Sequence, residues 1–293
     1  MNQRIITGIL FTLVIAAFVI PGYWYPVFPI ALLLLAGFFS RGELDRALAP
    51  RHLGLPPVAS RLGVILLLLP LLVRLPGLPA ADQPLPRLVW GFSLLVAGQL
   101  LWATAMTMTL LIREGPGALP RAAATAFAVQ YLAVPFGVGV LLLAAVPQGW
   151  LWLVVALVTP WLSDVFAYFV GSMLGRHKIV PQISPKKTVE GCLGGLAGGM
   201  LACLLAAVLG AGVAISRLGQ TPSLLLAVLA GGVLLSIAAQ LGDWLASGVK
   251  RWCGVKDFGT CLPGHGGILD RFDSVLFTLP ATLLLAALNL LLR

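Results

Sequence analysis

Apolar runs of about twenty residues follow one another along most of the chain, the length at which a helix crosses the hydrocarbon core of a bilayer. They fall at roughly residues 4–20, 23–40, 62–79, 88–112, 122–146, 149–173, 193–215, 223–247 and 269–292. A transmembrane barrel would instead show alternating strands of about ten residues. The runs are continuous, so the pattern predicts an all-α polytopic integral membrane protein with about nine transmembrane helices. Arg4 before the first run resembles the opening of a signal peptide. No small-residue cleavage site follows, and the Pro21–Pro26 turn leads straight into more apolar sequence, which favours a retained hairpin. The linker 41–61, with Pro50, Pro56 and Pro57, divides the chain. The expected regions are an N-terminal membrane hairpin and linker (1–60), central transmembrane helices (61–148) and a third region (149–293) where the polar chemistry gathers.

Composition supports this reading: 59% of the residues are hydrophobic and only 10% charged, a fraction no soluble fold could bury. Of the 19 Lys and Arg residues, fourteen lie in the even-numbered connections between runs. Positive charge marks the cytoplasmic side, so the loops around Lys187 and His265 are expected in the cytoplasm, where soluble nucleotides reach them. The net charge of +9 then reflects loops facing anionic membrane lipid, and no nucleic-acid partner is expected. Four cysteines form no disulfide framework. Cys253, Cys261 and His265 match no common zinc spacing and read as loop or packing residues.

The polar chemistry concentrates between Ser247 and Ser274, where Lys250, Arg251, Lys256, Asp257, Asp270, Arg271 and Asp273 lie between two apolar runs. Asp243 stands just upstream inside an apolar run, and Asp164 occupies a similar place in the sixth. A carboxylate there needs a polar cavity, a cation or a partner. On a helix, Gln240, Asp243, Ser247 and Lys250 share one face, a polar stripe compatible with burial against other helices or with a site. Asp164 and Tyr168 share a face with Gly171 and Gly175, which leave room for a ligand or for a neighbouring helix. Asp270 and Asp273 suit either a shared divalent cation or capping of the last helix. Oxygen-only ligands favour magnesium or manganese. The Pro263–Gly267 turn has backbone N–H groups of the kind that cradle phosphate, and His265 suits donation to phosphate or to the loop itself. Ser184-Pro185 reads as an N-cap followed by a first helical residue, with Lys186 and Lys187 beside that helix start.

The segment S-x-V-K-R-x4-K-D-x-G-x2-L-P-x-H-G-G-I-x-D-R-F-D, from Ser247 to Asp273, resembles the signature of the phosphatidate cytidylyltransferases (CDP-diacylglycerol synthases). So do Gln240-Leu-Gly-Asp243, Asp164-x-x-Ala167-Tyr168 and Ser184-Pro-Lys-Lys-Thr-x-Glu190-Gly191. The likeness covers roughly residues 150–280; the first third matches only in hydropathy. Some members carry an acid where Ala246 stands. The resemblance implies that CTP and phosphatidic acid give CDP-diacylglycerol and pyrophosphate in phospholipid biosynthesis. It also implies a magnesium requirement, a homodimer and a place in the bacterial inner membrane. The family's metal-binding carboxylates fall on Asp243 and Asp270, with Asp273 and Asp164 as further ligands or supports. Lys250 and His265 join them as catalytic candidates. Phosphate and substrate contacts are expected from Ser184, Lys186, Lys187, Thr188, Ser247, Arg251, Lys256, Asp257, Gly266, Gly267 and Arg271. Two other readings compete. One is a CTP-using transferase or kinase acting on another membrane lipid. The other is a transporter of an anionic substrate, which would need a midplane site reachable from both sides.

Overall fold

The computed structural model describes residues 2–54, 57–75, 83–210, 212 and 221–292. The side chains of residues 2–5 and 57–59, the far ends of the third and seventh apolar runs, Pro56, Arg217 and Arg293 lie outside that description. Among the described residues there are ten α-helices: α1 (Asn2–Val19), α2 (Val27–Leu48), α3 (Pro57–Ile65), α4 (Pro84–Glu114), α5 (Leu119–Ala145), α6 (Gly149–Leu174), α7 (Val189–Leu205), α8 (Pro222–Trp252), α9 (Leu269–Phe272) and α10 (Val275–Leu291). Among the described residues there is no strand, only two isolated bridges, Lys178 with Thr188 and Leu262 with Gly266. Among the described residues, eight helical segments are long and apolar enough to cross a membrane, α9 and α10 counting as one. The protein is therefore an all-α polytopic membrane protein.

The run at 62–79 is the one that differs from the sequence expectation. Its described part is the short helix α3 continued by a 3₁₀ stretch, Leu66–Arg74, with Pro70 inside it.

The chain forms two compact units. One contains the residues up to Trp150 together with Lys250–Phe272. Its core lies along α5, where Leu132, Phe136, Val140 and Leu141 have no exposed surface. Gly37 of α2 meets Phe136, Val64 and Leu67, and Gly137 of α5 meets Leu95 of α4, so these helices approach closely through small residues. Arg74 closes the end of α5, donating through Nη2 to the Leu143 carbonyl at 2.5 Å and through Nε to Ala144 at 3.3 Å. A cation there meets carbonyls that the helix cannot satisfy. Phe272 of the short α9 sits edge-on to Phe11 of α1 and Phe136 of α5, with ring centroids 6.4 and 5.8 Å apart.

The other unit contains Leu151–Val249 and Asp273–Leu292. The glycines of Gly194–Gly199 let helices approach closely: Gly194 faces Val170, Gly198 faces Phe166, and Gly199 lies against Gly232 of α8. Val155, Leu235 and Ala281 fill the centre. Two polar contacts cross this core, Ser163 Oγ with Ser236 Oγ at 2.8 Å and Thr278 Oγ1 donating to the Ala156 carbonyl at 2.6 Å.

A Cβ at Gly199 or Gly232 would press on the partner helix's backbone, whereas one at Gly42 meets nothing within 4 Å. Gly199→Ala and Gly232→Ala are each expected to destabilise the detergent-solubilised protein by about 1–3 kcal/mol. Gly42→Ala should leave its thermal transition unchanged. Equal transitions in all three variants would contradict this packing.

Candidate active site

In the first unit, Asp270 is the centre of the polar arrangement. It is 8% exposed, as is Lys250. Lys250 Nζ donates to Asp270 Oδ1 at 2.9 Å, while Oδ2 accepts from the backbone N–H groups of Phe258 and Gly267, both at 2.9 Å. A buried carboxylate is tolerable when a cation and several N–H donors replace its water. Here the two come from the end of α8 and from the loop that returns to α9. The Lys250 ammonium also lies 5.3 Å from the centroid of the Phe258 ring.

The Pro263–Gly267 turn is tight. His265 donates its backbone N–H to Leu262 at 2.8 Å, Leu262 donates to Gly266 at 2.9 Å, and Gly264 and Gly266 adopt φ of 78° and 80°. Glycine occupies that left-handed region without strain. The amide of Gly267 is committed to Asp270, so phosphate at this turn would be held by side chains more than by that N–H. Two such side chains stand ready. Arg271 Nε and His265 Nδ1 are buried with no hydrogen-bond partner among the described residues. A buried donor in that state favours an anionic ligand over an empty site. Arg251, Lys256 and Asp257 are exposed at the same loop. Burial pushes the Cys253 thiol up against the opposing pull of Arg51, so it stays protonated at neutral pH.

Sequence reasoning missed Glu43 of α2, which is 2% exposed. Its carboxylate accepts from the N–H of Ile268 at 2.9 Å and of Leu269 at 2.8 Å. Arg51, just beyond α2, donates to the Trp252 carbonyl at 2.6 Å and lies 5.1 Å over the Trp252 ring. The available signal was an acid among the last turns of an apolar helix. Its neighbours Arg41 and Arg46 made that stretch read as ordinary cytoplasmic charge.

In the second unit, Asp243 forms an ion pair with Lys187 and accepts from Ser247 Oγ at 3.5 Å. Lys187 also lies 5.8 Å from the Trp244 ring. Gln240 donates to the Cys192 carbonyl and to Ser236 Oγ, both at 3.2 Å, which makes it a packing residue. Gly242 admits the backbone of Asp273 against α8, and Asp273 Oδ1 accepts the Ser274 N–H at 2.7 Å. Asp164 and Tyr168 are exposed on α6. Gly171 and Gly175 answer the question left open above, since Thr188 and Gly191 fill the space beside Gly171 and Thr188 the space beside Gly175.

One expectation is corrected here. Ser184 does not start a helix. Residues 184–187 form turns, and α7 begins at Val189 with Thr188 as its N-cap, Oγ1 accepting the Gly191 N–H at 3.1 Å. Thr188 is extended and paired with Lys178 across a bridge, so it meets the geometry a cap requires. Lys186 is exposed, and the Glu190 carboxylate fixes the preceding loop through His177 Nδ1 at 2.6 Å.

The donor chemistry of Asp243 and Asp270, carboxylate oxygen alone, suits a hard divalent cation. No three His, Cys, Asp or Glu side chains gather as a ready metal centre among the described residues. Each carboxylate is instead held by a lysine, which a metal would have to displace or share.

Comparison with known proteins places this geometry in a family. The chain matches the cytidylyltransferase family over residues 2–289. It is 34% identical over 289 residues to a phosphatidate cytidylyltransferase of Bacillus subtilis, covering 98% of each chain. A Staphylococcus saprophyticus protein of the same name is 33% identical over 251 residues, 84% of this chain and 85% of the relative. One from Staphylococcus aureus is 44% identical over 133 residues, 45% and 48% of the two chains.

Removing one member of a buried ion pair leaves an uncompensated charge. Lys250→Met should therefore destabilise the protein by about 3 kcal/mol. Lys250→Met combined with Asp270→Asn should recover part of that loss in a thermal-unfolding measurement. A double variant no more stable than Lys250→Met alone would contradict the pairing.

Proposed function

The chain belongs to the cytidylyltransferase family, and we propose that it transfers the cytidylyl group of CTP to phosphatidate, forming CDP-diacylglycerol and pyrophosphate. The observation that carries this reading is the likeness, over 98% of the chain, to a relative of that name. The lysine–carboxylate pairs supply chemistry that fits it. We place the active loops on the cytoplasmic face of a bacterial inner membrane, following the distribution of basic residues, and take a homodimer as the expected assembly.

The phosphate oxygen of phosphatidate attacks the α-phosphorus of CTP. The bond from that phosphorus to the bridging oxygen breaks, and pyrophosphate leaves with the electron pair. The lipid phosphate is already ionised near neutral pH, so no strong general base is required. The barrier lies in bringing two polyanions together and in stabilising the departing pyrophosphate, and both are met by positioning and fixed positive charge. Lys250, Arg251, Lys256 and Arg271 are assigned to the triphosphate, with Asp257, Gly266 and Gly267 shaping the same loop. Lys186, Lys187 and Thr188, with Ser184 beside them, are assigned to lipid or nucleotide phosphate. His265 donates to a phosphate oxygen, and Ser247 orients Asp243. Asp243 and Asp270 would hold magnesium, supported by Asp273 and Asp164, and the ion when bound would neutralise phosphate charge. Lys187 and Lys250, paired to these carboxylates, would be available to phosphate if a cation held the carboxylates instead.

Purified protein with phosphatidate, labelled CTP and magnesium should yield CDP-lipid and pyrophosphate in equal amounts, and EDTA should abolish both. Asp243→Asn and Asp270→Asn should each lower turnover by roughly a hundredfold or more while the protein remains membrane-inserted. Release of CDP in place of pyrophosphate would indicate a lipid kinase. Nucleotide-independent uptake into sealed vesicles would indicate a transporter. Near-normal turnover in either Asn variant would remove that residue from the metal assignment.

A further inference from the structure

We infer that Glu43, from the N-terminal hairpin, is a positioning residue that locks the signature loop and thereby sets the Asp270 carboxylate for reaction. The inference rests on the cytidylyltransferase reading for its kinetic consequence, and on geometry alone for the contact.

Three consecutive amides, those of Gly267, Ile268 and Leu269, point at two carboxylates. Gly267 donates to Asp270, and Ile268 and Leu269 donate to Glu43. Residues 267–269 are thus fixed on one side by an acid within the signature and on the other by an acid 225 positions earlier in the chain. Glu43 is almost wholly buried, and a buried carboxylate seeks N–H donors strongly once its water is gone. In return, the loop gains an anchor it cannot supply itself. Its own acids, Asp257, Asp270 and Asp273, are exposed, committed to Lys250, or committed to Ser274.

The two neighbouring glycines carry the same message independently. A Cβ on Gly259 or on Gly267 would overlap the Glu43 carboxylate. Both positions lie on the signature loop, and neither has the positive φ that would itself call for glycine. Close approach of Glu43 is what they make room for. Arg51 holds the opposite end of the loop through the Trp252 carbonyl. One stretch of the N-terminal region therefore secures the loop where it leaves α8 and where it enters α9. A displacement of Asp270 by about an ångström would be enough to slow transfer severely.

The test uses the full-length protein in detergent, with Glu43→Gln, Glu43→Ala, Gly267→Ala and the double variant Glu43→Ala/Gly267→Ala. The amide of Gln offers one acceptor where the carboxylate offers two. Glu43→Gln is expected to lower kcat by roughly 10–100-fold. The KM for phosphatidate should stay within about twofold, since Glu43 touches no substrate. Glu43→Ala and Gly267→Ala disturb one contact, so the double variant should be no slower than the slower single variant. Amide hydrogen exchange at 267–269 should accelerate in Glu43→Gln with or without substrates. Unchanged kcat in Glu43→Gln, additive losses in the double variant, or unchanged exchange would each overturn the inference. Absence of cytidylyl transfer in the unsubstituted protein would instead overturn the functional reading, and hydrogen exchange would still decide the contact.

Discussion

A carboxylate removed from water must recover its solvation from the protein, and this chain is built around that requirement. Asp270 recovers it from Lys250 and two backbone amides, Glu43 from two more amides, and Asp243 from Lys187 and Ser247. In a chain that is 10% charged, these residues fix the loops as firmly as apolar packing fixes the helices. The same groups that make the loops rigid carry the charge that phosphate chemistry needs. Structure and chemistry are thus served by one set of contacts.

The pairing also explains how a highly apolar protein keeps an ionic site intact without substrate. Lysine held on aspartate keeps both side chains in place. Arg271 and His265 differ in kind, since each has a buried nitrogen with no hydrogen-bond partner among the described residues.

Glycine has two separate uses here. In the helices, Gly199 and Gly232 let backbones meet where lipid gives no hydrophobic drive to association. In the signature loop, Gly264 and Gly266 provide left-handed turns, while Gly259 and Gly267 make space for Glu43. A pattern of glycines is the same letter in both places, and its meaning is set by what lies opposite.

Hydropathy alone determined the helical, membrane-spanning character, because the bilayer leaves a backbone few alternatives. The residue types between Ser247 and Asp273 determined the candidate chemistry, because that chemistry needs oxygen ligands and cations close together in sequence. The helix start at Thr188 in place of Ser184 was decided by tertiary structure, since the bridge to Lys178 makes Thr188 the extended residue. So was the choice between ligand and protein beside Gly171, which Thr188 and Gly191 fill. The 3₁₀ winding of the Leu66–Arg74 stretch also lay beyond hydropathy, because a hydropathy window averages over local backbone geometry. Glu43 lies farthest from sequence inference. Its partners are backbone amides more than two hundred residues away, and an amide leaves no mark in the sequence to show which acid it will meet.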